Sequence, residues 1–289
     1  YPIPQRQEKL RHAVKRLILL CLLGIVYNHG WGGGIPASFD EIRFASVLGR
    51  IGIAWFVAAM LVWYVSQRSQ WLLAGGILLG YWALLALVEI GGYGAGNYSA
   101  DGSLNVWFDQ TLLPGITYAQ LAVDPEGILS NIPSIANALF GVFVGRHMKL
   151  YQHEAKRLLT HLISAGLLLV ALGYLWGLVF PINKSLWTSS FTLLTSGYSI
   201  LLLTLFYAVI DVLKIQRWAV FFAVIGTNSI IVYLGTSLVN WQYIANSLFG
   251  GVIQYVPTQW QAVLQIIALL LVQWWVLWWL YQRKIFIKV

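Results

Sequence analysis

The chain has 289 residues, 59% of them hydrophobic and only 10% charged, with a formal net charge of +8. A soluble domain carries roughly 25% charged residues, so this composition excludes a soluble globular fold and points to a polytopic membrane protein. The basic residues flank apolar runs instead of forming one face, which argues against a nucleic-acid partner, and the single cysteine, Cys21, excludes an internal disulfide or a thiolate metal cluster.

A helical span needs about 20 mostly apolar residues. Eight segments approach this: 13–28, 45–66, 71–90, 127–145, 158–179, 187–210, 218–240 and 260–281. The expected fold is all-α, a transmembrane helical bundle, with residues 1–289 forming one domain. The chain opens at Tyr1 on a polar, basic stretch without the apolar core of a signal peptide. It reads as an internal loop of a longer protein. With residues 1–12 inside, only Arg43, Arg50 and Lys184 of the 18 Lys and Arg fall outside. Asp40, Glu41, Glu89, Asp101, Asp109, Asp124 and Glu126 join them there. The positive-inside rule counts the basic residues, so both termini are expected in the cytoplasm.

The outer loops hold the candidate chemistry. In NHGWGGGIPASFDEIRF (28–44), His29 is of the type used as a general base. No Ser, Cys or Asp stands at a spacing that defines a catalytic pair with it, and a solvated loop histidine is the plainer reading. Arg50 falls about five residues into the second span, where a charge needs a partner; Glu126 or Asp124 is expected to supply it. The loop 91–126 is rich in Gly, Asn and Asp and carries Tyr93, Tyr98 and Trp107, expected to be exposed. These rings suit either a sugar platform or an interfacial aromatic belt. Asp124, Pro125 and Glu126 read as the opening of a helix that runs to Gly145. On that helix Ser130, Ser134 and Asn137 share a face and Asn131 borders it, which fits helix–helix glue or a ligand-lining wall.

In FPINKSLWTSS (180–190), Ser185 is placed to cap the next span. Lys184, beside Asn183, suits an anion or carbonyl contact, or a lipid headgroup. The hydroxyl-rich sixth span and Thr227, Asn228 and Ser229 of the seventh are expected to enclose a hydrated cavity together with the 130–137 stripe. His147, His153 and His161 read as juxtamembrane residues, not as a metal site. The basic end of the chain, with Arg283, Lys284 and Lys288, suits lipid headgroups or a phosphate-bearing cytoplasmic ligand.

Five pieces, in order, resemble the heparan-alpha-glucosaminide N-acetyltransferase family and its bacterial relatives: FDEIRFASVLGRIGIAWFV, DPEGILSNIPSIANALFGVFVG, FPINKSLWTSSFTLLTSGYS, GTNSIIVYLG and YQRKIFIKV. The resemblance implies a membrane enzyme, in a bacterial inner membrane, that takes acetyl-CoA from the cytoplasm and acetylates an amino sugar on the other side. It implies no metal, and it leaves a homo-oligomer open. Tyr281, Arg283, Lys284 and Lys288 would dock the CoA phosphates. The polar faces that include Ser190, Ser196 and Asn228 would guide the pantetheine arm. Arg43, Arg50, Asp124, Glu126, Asn183 and Lys184 would frame the outer mouth, with Asn131 and Asn137 further in, and Trp82 matches a family tryptophan. The family's essential histidine lies upstream of the first residue here, so His29 does not inherit its role. The resemblance implies a full-length protein of about ten spans, of which this chain alone would be inactive.

Amine attack on a thioester needs a base and donors for the developing oxyanion. Asn131, Asn137, Asn183 or Asn228 are the expected donors. A secondary transporter for sugars and a non-catalytic scaffold of the same fold are the rival readings. Against the transporter stands the lack of two halves with matching broken helices.

Overall fold

The computed structural model describes residues 3–29 and 38–287 and divides them into two compact units, one of residues 3–28 and 38–213 and the other of His29 and residues 214–287. The first unit opens with α1 (Ile3–His29). Helix α2 (Val47–Tyr64) starts behind Ser46, whose side chain accepts from the Gly49 amide at 3.0 Å, satisfying one of the free N–H groups of a helix start. Ser66 caps α3 (Gln67–Leu87) in the same way. Buried Gln70 donates to Val65 O at 2.7 Å and accepts from Arg146 at 2.7 Å, which ties the α2–α3 turn to α5 (Asn131–Leu150).

The loop expected to be irregular is partly ordered. It forms a short hairpin, β1 (Glu89–Ile90) and β2 (Tyr93–Gly94), and a two-turn helix, α4 (Leu104–Leu112). Its aromatics are half-buried, not exposed: Tyr98 lies 5.0 Å from Phe180 and Trp107 lies 5.1 Å from Phe108. Tyr93 and Tyr98 pack on Val106, Val123 and Leu186. Tyr93 and Tyr98 thus help to build the core of the loop.

Helices α6 (Ala155–Gly177) and α7 (Ser189–Tyr207, continued by a π-helical turn Ala208–Val212) pack closely through glycines. A Cβ on Gly197 would stand 2.8 Å from Gly166 O, and one on Gly173 would stand 2.8 Å from Leu194 N. Small residues let membrane helices approach to this degree.

The second unit holds α8 (Ala219–Thr227), α9 (Ser229–Leu238), α10 (Trp241–Ile253) and α11 (Thr258–Gln282). The expected span 218–240 is not one helix. It breaks at Asn228, with a bend of 68° between α8 and α9, and Asn228 adopts φ −128°, ψ 36°. Asn and Thr compete with the helix for backbone hydrogen bonds; here Thr227 turns its hydroxyl back to Val224 O.

Among the described residues, α2, α3, α6, α7 with its π turn, and α11 are long and apolar enough to cross a membrane, and the bent pair makes a sixth span if counted as one. The protein is an all-α integral membrane bundle, as expected. The difference from eight spans lies in α1 and α5, whose polar and basic residues lower their hydropathy.

Candidate functional site

The centre of the site is a charge cluster where the loop before α5 meets the start of α2. Arg43 donates to Asp124 from Nη2 at 2.6 Å and from Nε at 2.8 Å, and to Glu126 from Nη2 at 2.5 Å. Burial works to lower the pKa of this guanidinium, but the two carboxylates outweigh it and hold the pKa above its usual value. The acids expected to serve Arg50 are therefore taken by Arg43. Buried Arg50 donates from Nη2 to Pro125 O and to Ser130 Oγ instead, and its guanidinium lies over the Trp187 ring, 4.2 Å from the centroid.

No helix opens at Asp124. Residues 124–130 form turns and α5 begins at Asn131. Asp124 prefers local bonds: its carboxylate accepts from the amides of Glu126 at 2.9 Å and Tyr118 at 2.7 Å, the behaviour that favours Asp in turns. Below it, buried Asp109 accepts from the amides of Asp124 at 3.0 Å and Ile128 at 2.9 Å. Gly127 permits this closure, since a Cβ there would stand 2.2 Å from Asp109 Oδ2. Burial pushes the Asp109 carboxyl up to about 6, opposed by the two amides and helped by Asp124.

Arg50 lines one concavity and Trp187 another. The first is a cleft of about 390 Å³ lined by Cys21, Ser46, Arg50, Glu126, Ile128 and Asn131 among others. Three buried polar atoms of its lining residues have no hydrogen-bond partner: Arg50 Nε, Arg50 Nη1 and Asn131 Oδ1. Buried polar groups are normally paired, and a bound water or a small polar ligand would satisfy these atoms. The second is a groove of about 430 Å³ along α5 and α7, lined by Asn137, Met148, Trp187, Thr195, Ser196 and Ser199 among others. From Asn137 to Met148 a helix rises about 16 Å. Trp187 lines the groove, donates from Nε1 to Asn137 Oδ1 at 2.9 Å, and carries Arg50 on its ring.

The 180–190 turn sets Trp187 in place. Asn183 accepts from the amides of Ser185 at 2.8 Å and Leu186 at 3.3 Å, and Trp187 takes φ +50°. Thr188, not Ser185, caps α7 by accepting from Phe191 N. Asn183 is a turn-former and Lys184 is exposed beside it. Asn137 is both glue and lining, donating to Ser196 Oγ at 2.8 Å and Thr192 O at 3.2 Å. Ser196 shares the groove, whereas fully buried Ser190 donates to Phe180 O. Trp82 packs edge-on against Trp176 at 5.8 Å. His29 is the last residue of α1. His147 and His161 lie 2.9 Å apart through their ring nitrogens.

In the second unit, both ends of the Asn228 amide hold the segment after α11: Nδ2 donates to Ile285 O at 3.0 Å and Oδ1 accepts from Ile287 N at 3.1 Å. Tyr281 stacks on Trp278 at 6.0 Å, Arg283 lies over Trp279 at 5.8 Å, and Lys284 is exposed. Lys288 lies outside the described residues. Asp109 and Trp187 lack a local signal of their roles. Asp109 is one acid in a polar loop, and Trp187 is one of 15 tryptophans.

The chain is 29% identical over 278 residues to heparan-alpha-glucosaminide N-acetyltransferase of Homo sapiens, covering 77% of this chain and 41% of that protein. With the same enzyme of Mus musculus it shares 27% over 302 residues, covering 86% and 43%. The chain is thus similar to heparan-alpha-glucosaminide N-acetyltransferases of two mammals. It spans about two fifths of the length of the curated relatives it matches. No protein-family model matches it. The resemblance noted on the DPEGILSNIPSIANALFGVFVG and FPINKSLWTSSFTLLTSGYS pieces thus agrees with the curated relatives, and those pieces carry the turn, the groove wall and Trp187.

Proposed function

We propose that the protein acts as a transmembrane acetyltransferase that moves an acetyl group from acetyl-CoA to the amine of an amino sugar. The observation that carries this reading is the contact between Arg50, which lines the cleft, and Trp187, which lines the groove. A long, partly polar groove suits the pantetheine arm, and a charged cleft suits a hydroxylated, amine-bearing acceptor. Two relatives named for N-acetyl transfer to a glucosaminide support the same chemistry. The donor enters from the cytoplasm and the acceptor from the opposite face, in keeping with the loop charges. Arg43, Asp124 and Glu126 shape the acceptor mouth, Asn137 and Ser196 line the donor path, and Arg283, Lys284 and Lys288 contact CoA phosphates. Membrane lipids surround the bundle, residues 1–289 serve this one activity, and the membrane is a bacterial inner membrane.

Purified full-length protein, with the segment expected upstream of Tyr1, given radiolabelled acetyl-CoA and glucosamine is expected to yield labelled N-acetylglucosamine. The rival reading, sugar transport, draws on the bent α8–α9 pair, since broken helices line many transport sites. Proteoliposomes that move unmodified glucosamine without acetylating it would establish that rival. Among the described residues there is one such bent pair, and an inverted repeat needs two.

A further inference from the structure

An amine on a sugar is surrounded by hydroxyls, and the two groups differ in donors and in charge. An ammonium offers three N–H donors and a positive charge, whereas a hydroxyl offers one donor and no charge. Asn131, expected from the sequence as a donor, has its N–H groups engaged: Nδ2 lies 2.6 Å from Gly127 O and 3.3 Å from Glu126 O. The shorter contact also fixes which end of the amide is oxygen. That oxygen, Oδ1, is buried without a partner, so Asn131 offers the cleft an acceptor. Glu126, its neighbour through the 3.3 Å contact, lines the same cleft and gives one carboxylate oxygen, Oε2, to Arg43. Its other oxygen, Oε1, accepts no hydrogen bond among the described residues. Two unsatisfied acceptors thus belong to touching residues of one cleft. The charge around them has the matching sign. Asp124 and Glu126 balance Arg43 and Arg50. Asp109, which titrates at about 6 and packs against Gly127 of the cleft, adds a negative charge at neutral pH.

Resting on the acetyltransferase reading, we propose that Glu126 and Asn131 recognise the acceptor's amine, holding it as an ammonium through Glu126 Oε1 and Asn131 Oδ1, and so select an amino sugar over a neutral one. Two of the three ammonium N–H groups are used on these oxygens. The third stays open to the base that must remove a proton before attack. A hydroxyl in the same place supplies one donor for two acceptors and leaves one of them unpaired, which a buried site penalises. Arg50, on the same cleft, repels an ammonium. Three carboxylates against two guanidinium groups outweigh that repulsion, since every charge of the cluster acts on the ligand.

Cys21, the single cysteine of residues 1–289, lines the same cleft and reports on it. In the full-length protein its alkylation by a maleimide is followed by mass spectrometry of the peptide that carries it. Glucosamine is expected to protect Cys21 at about tenfold lower concentration than glucose, which has a hydroxyl in place of the amine. A cationic trimethylammonioethyl thiosulfonate should modify Cys21 severalfold faster than its anionic sulfonatoethyl counterpart, each rate taken relative to a small free thiol. Glu126→Gln leaves Asp124 on both prongs of Arg43. Its amide oxygen faces Arg43, so an NH₂ group replaces Oε1. This variant should bring glucosamine down to the level of glucose and even out the two reagents. Asn131→Leu should remove part of the glucosamine advantage and leave the reagent preference as in wild type. Wild-type protein protected equally by both sugars or by neither, or modified faster by the anionic reagent, would overturn the proposal. These two measurements stand even if a variant fails to fold. A folded Glu126→Gln or Asn131→Leu protein that keeps the whole glucosamine advantage would overturn it as well. Full-length protein that is protected as expected but transfers no acetyl group from acetyl-CoA would overturn the acetyltransferase reading and leave the amine site in place.

Discussion

Arg43 and Asp124, 81 residues apart in sequence, meet as a two-pronged ion pair, Nη2 to Oδ1 at 2.6 Å and Nε to Oδ2 at 2.8 Å. Asp124 is fully buried and Arg43 nearly so. Removing one partner of a buried pair leaves the other charge without compensation, which costs about 3–5 kcal/mol. Arg43→Gln is therefore expected to lower the unfolding free energy by that order in detergent. Pairing it with Asp124→Asn should recover part of the loss, as coupled sites do.

Asp109 gives the protein a defined pH response. Its carboxyl titrates at about 6 in the folded state, against 3.8 as the ordinary value. The folded form therefore holds a proton that the unfolded chain has already lost between these values. Stability from this group is fullest below the lower value, falls as pH rises between about 4 and 6, and stays reduced above. Thermal unfolding of wild type minus that of Asp109→Asn, followed across this window, should show the fall. A flat difference would remove Asp109 from the account.

Asn137 joins α5 to α7 and to Trp187 through three hydrogen bonds. Asn137→Ala leaves the Trp187 N–H without its acceptor, so a loss of about 1–3 kcal/mol is expected. Ser196→Ala removes one of those contacts and should cost about 0.6–1.7 kcal/mol, the scale of interhelical bonds in membranes. Equal losses would show that the Trp187 bond contributes little. Unfolding measured in one detergent decides between them.

Glycines on different faces should respond in opposite ways. A Cβ on Gly197 meets Gly166 O and Val170 N at 2.8 Å, whereas one on Gly80 meets nothing within 4 Å. Gly197→Ala is expected to cost about 1–3 kcal/mol through overpacking. Gly80→Ala should be neutral or stabilising by up to about 1 kcal/mol from helix propensity. Paired melting curves read both.

Reversing charge at Lys284 is expected to weaken acetyl-CoA binding severalfold, since phosphate groups favour basic contacts. Equilibrium binding of labelled acetyl-CoA measures this. An unchanged affinity would move the phosphate contacts away from this segment.

The helices were legible because span length and apolar composition are properties of one segment at a time. Loop charges likewise suggested an orientation without any tertiary knowledge. The pairing inside the site was not legible in the same way. Both Arg43 and Arg50 could have taken Asp124, and only the backbone path of 124–130 gives the carboxylates to Arg43 and the Pro125 carbonyl to Arg50. The Asp-Pro-Glu opening resembles a helix start, yet Asp109, 15 residues upstream, claims the Asp124 amide and holds the segment as a turn. The break at Asn228 was hidden for a different reason: an apolar run reads as continuous unless a tertiary partner rewards the interruption, and here the partner is the backbone of Ile285 and Ile287.

That partnership has a practical side. Asn228 grips Ile285 and Ile287 as a strand neighbour would, so the kink in the membrane and the tail of the chain are held by one side chain. Any affinity handle, fluorescent fusion or antibody that tugs on the residues after Ile287 pulls directly on that kink. A handle placed in the exposed 99–102 turn, remote in sequence from this latch, would leave it undisturbed.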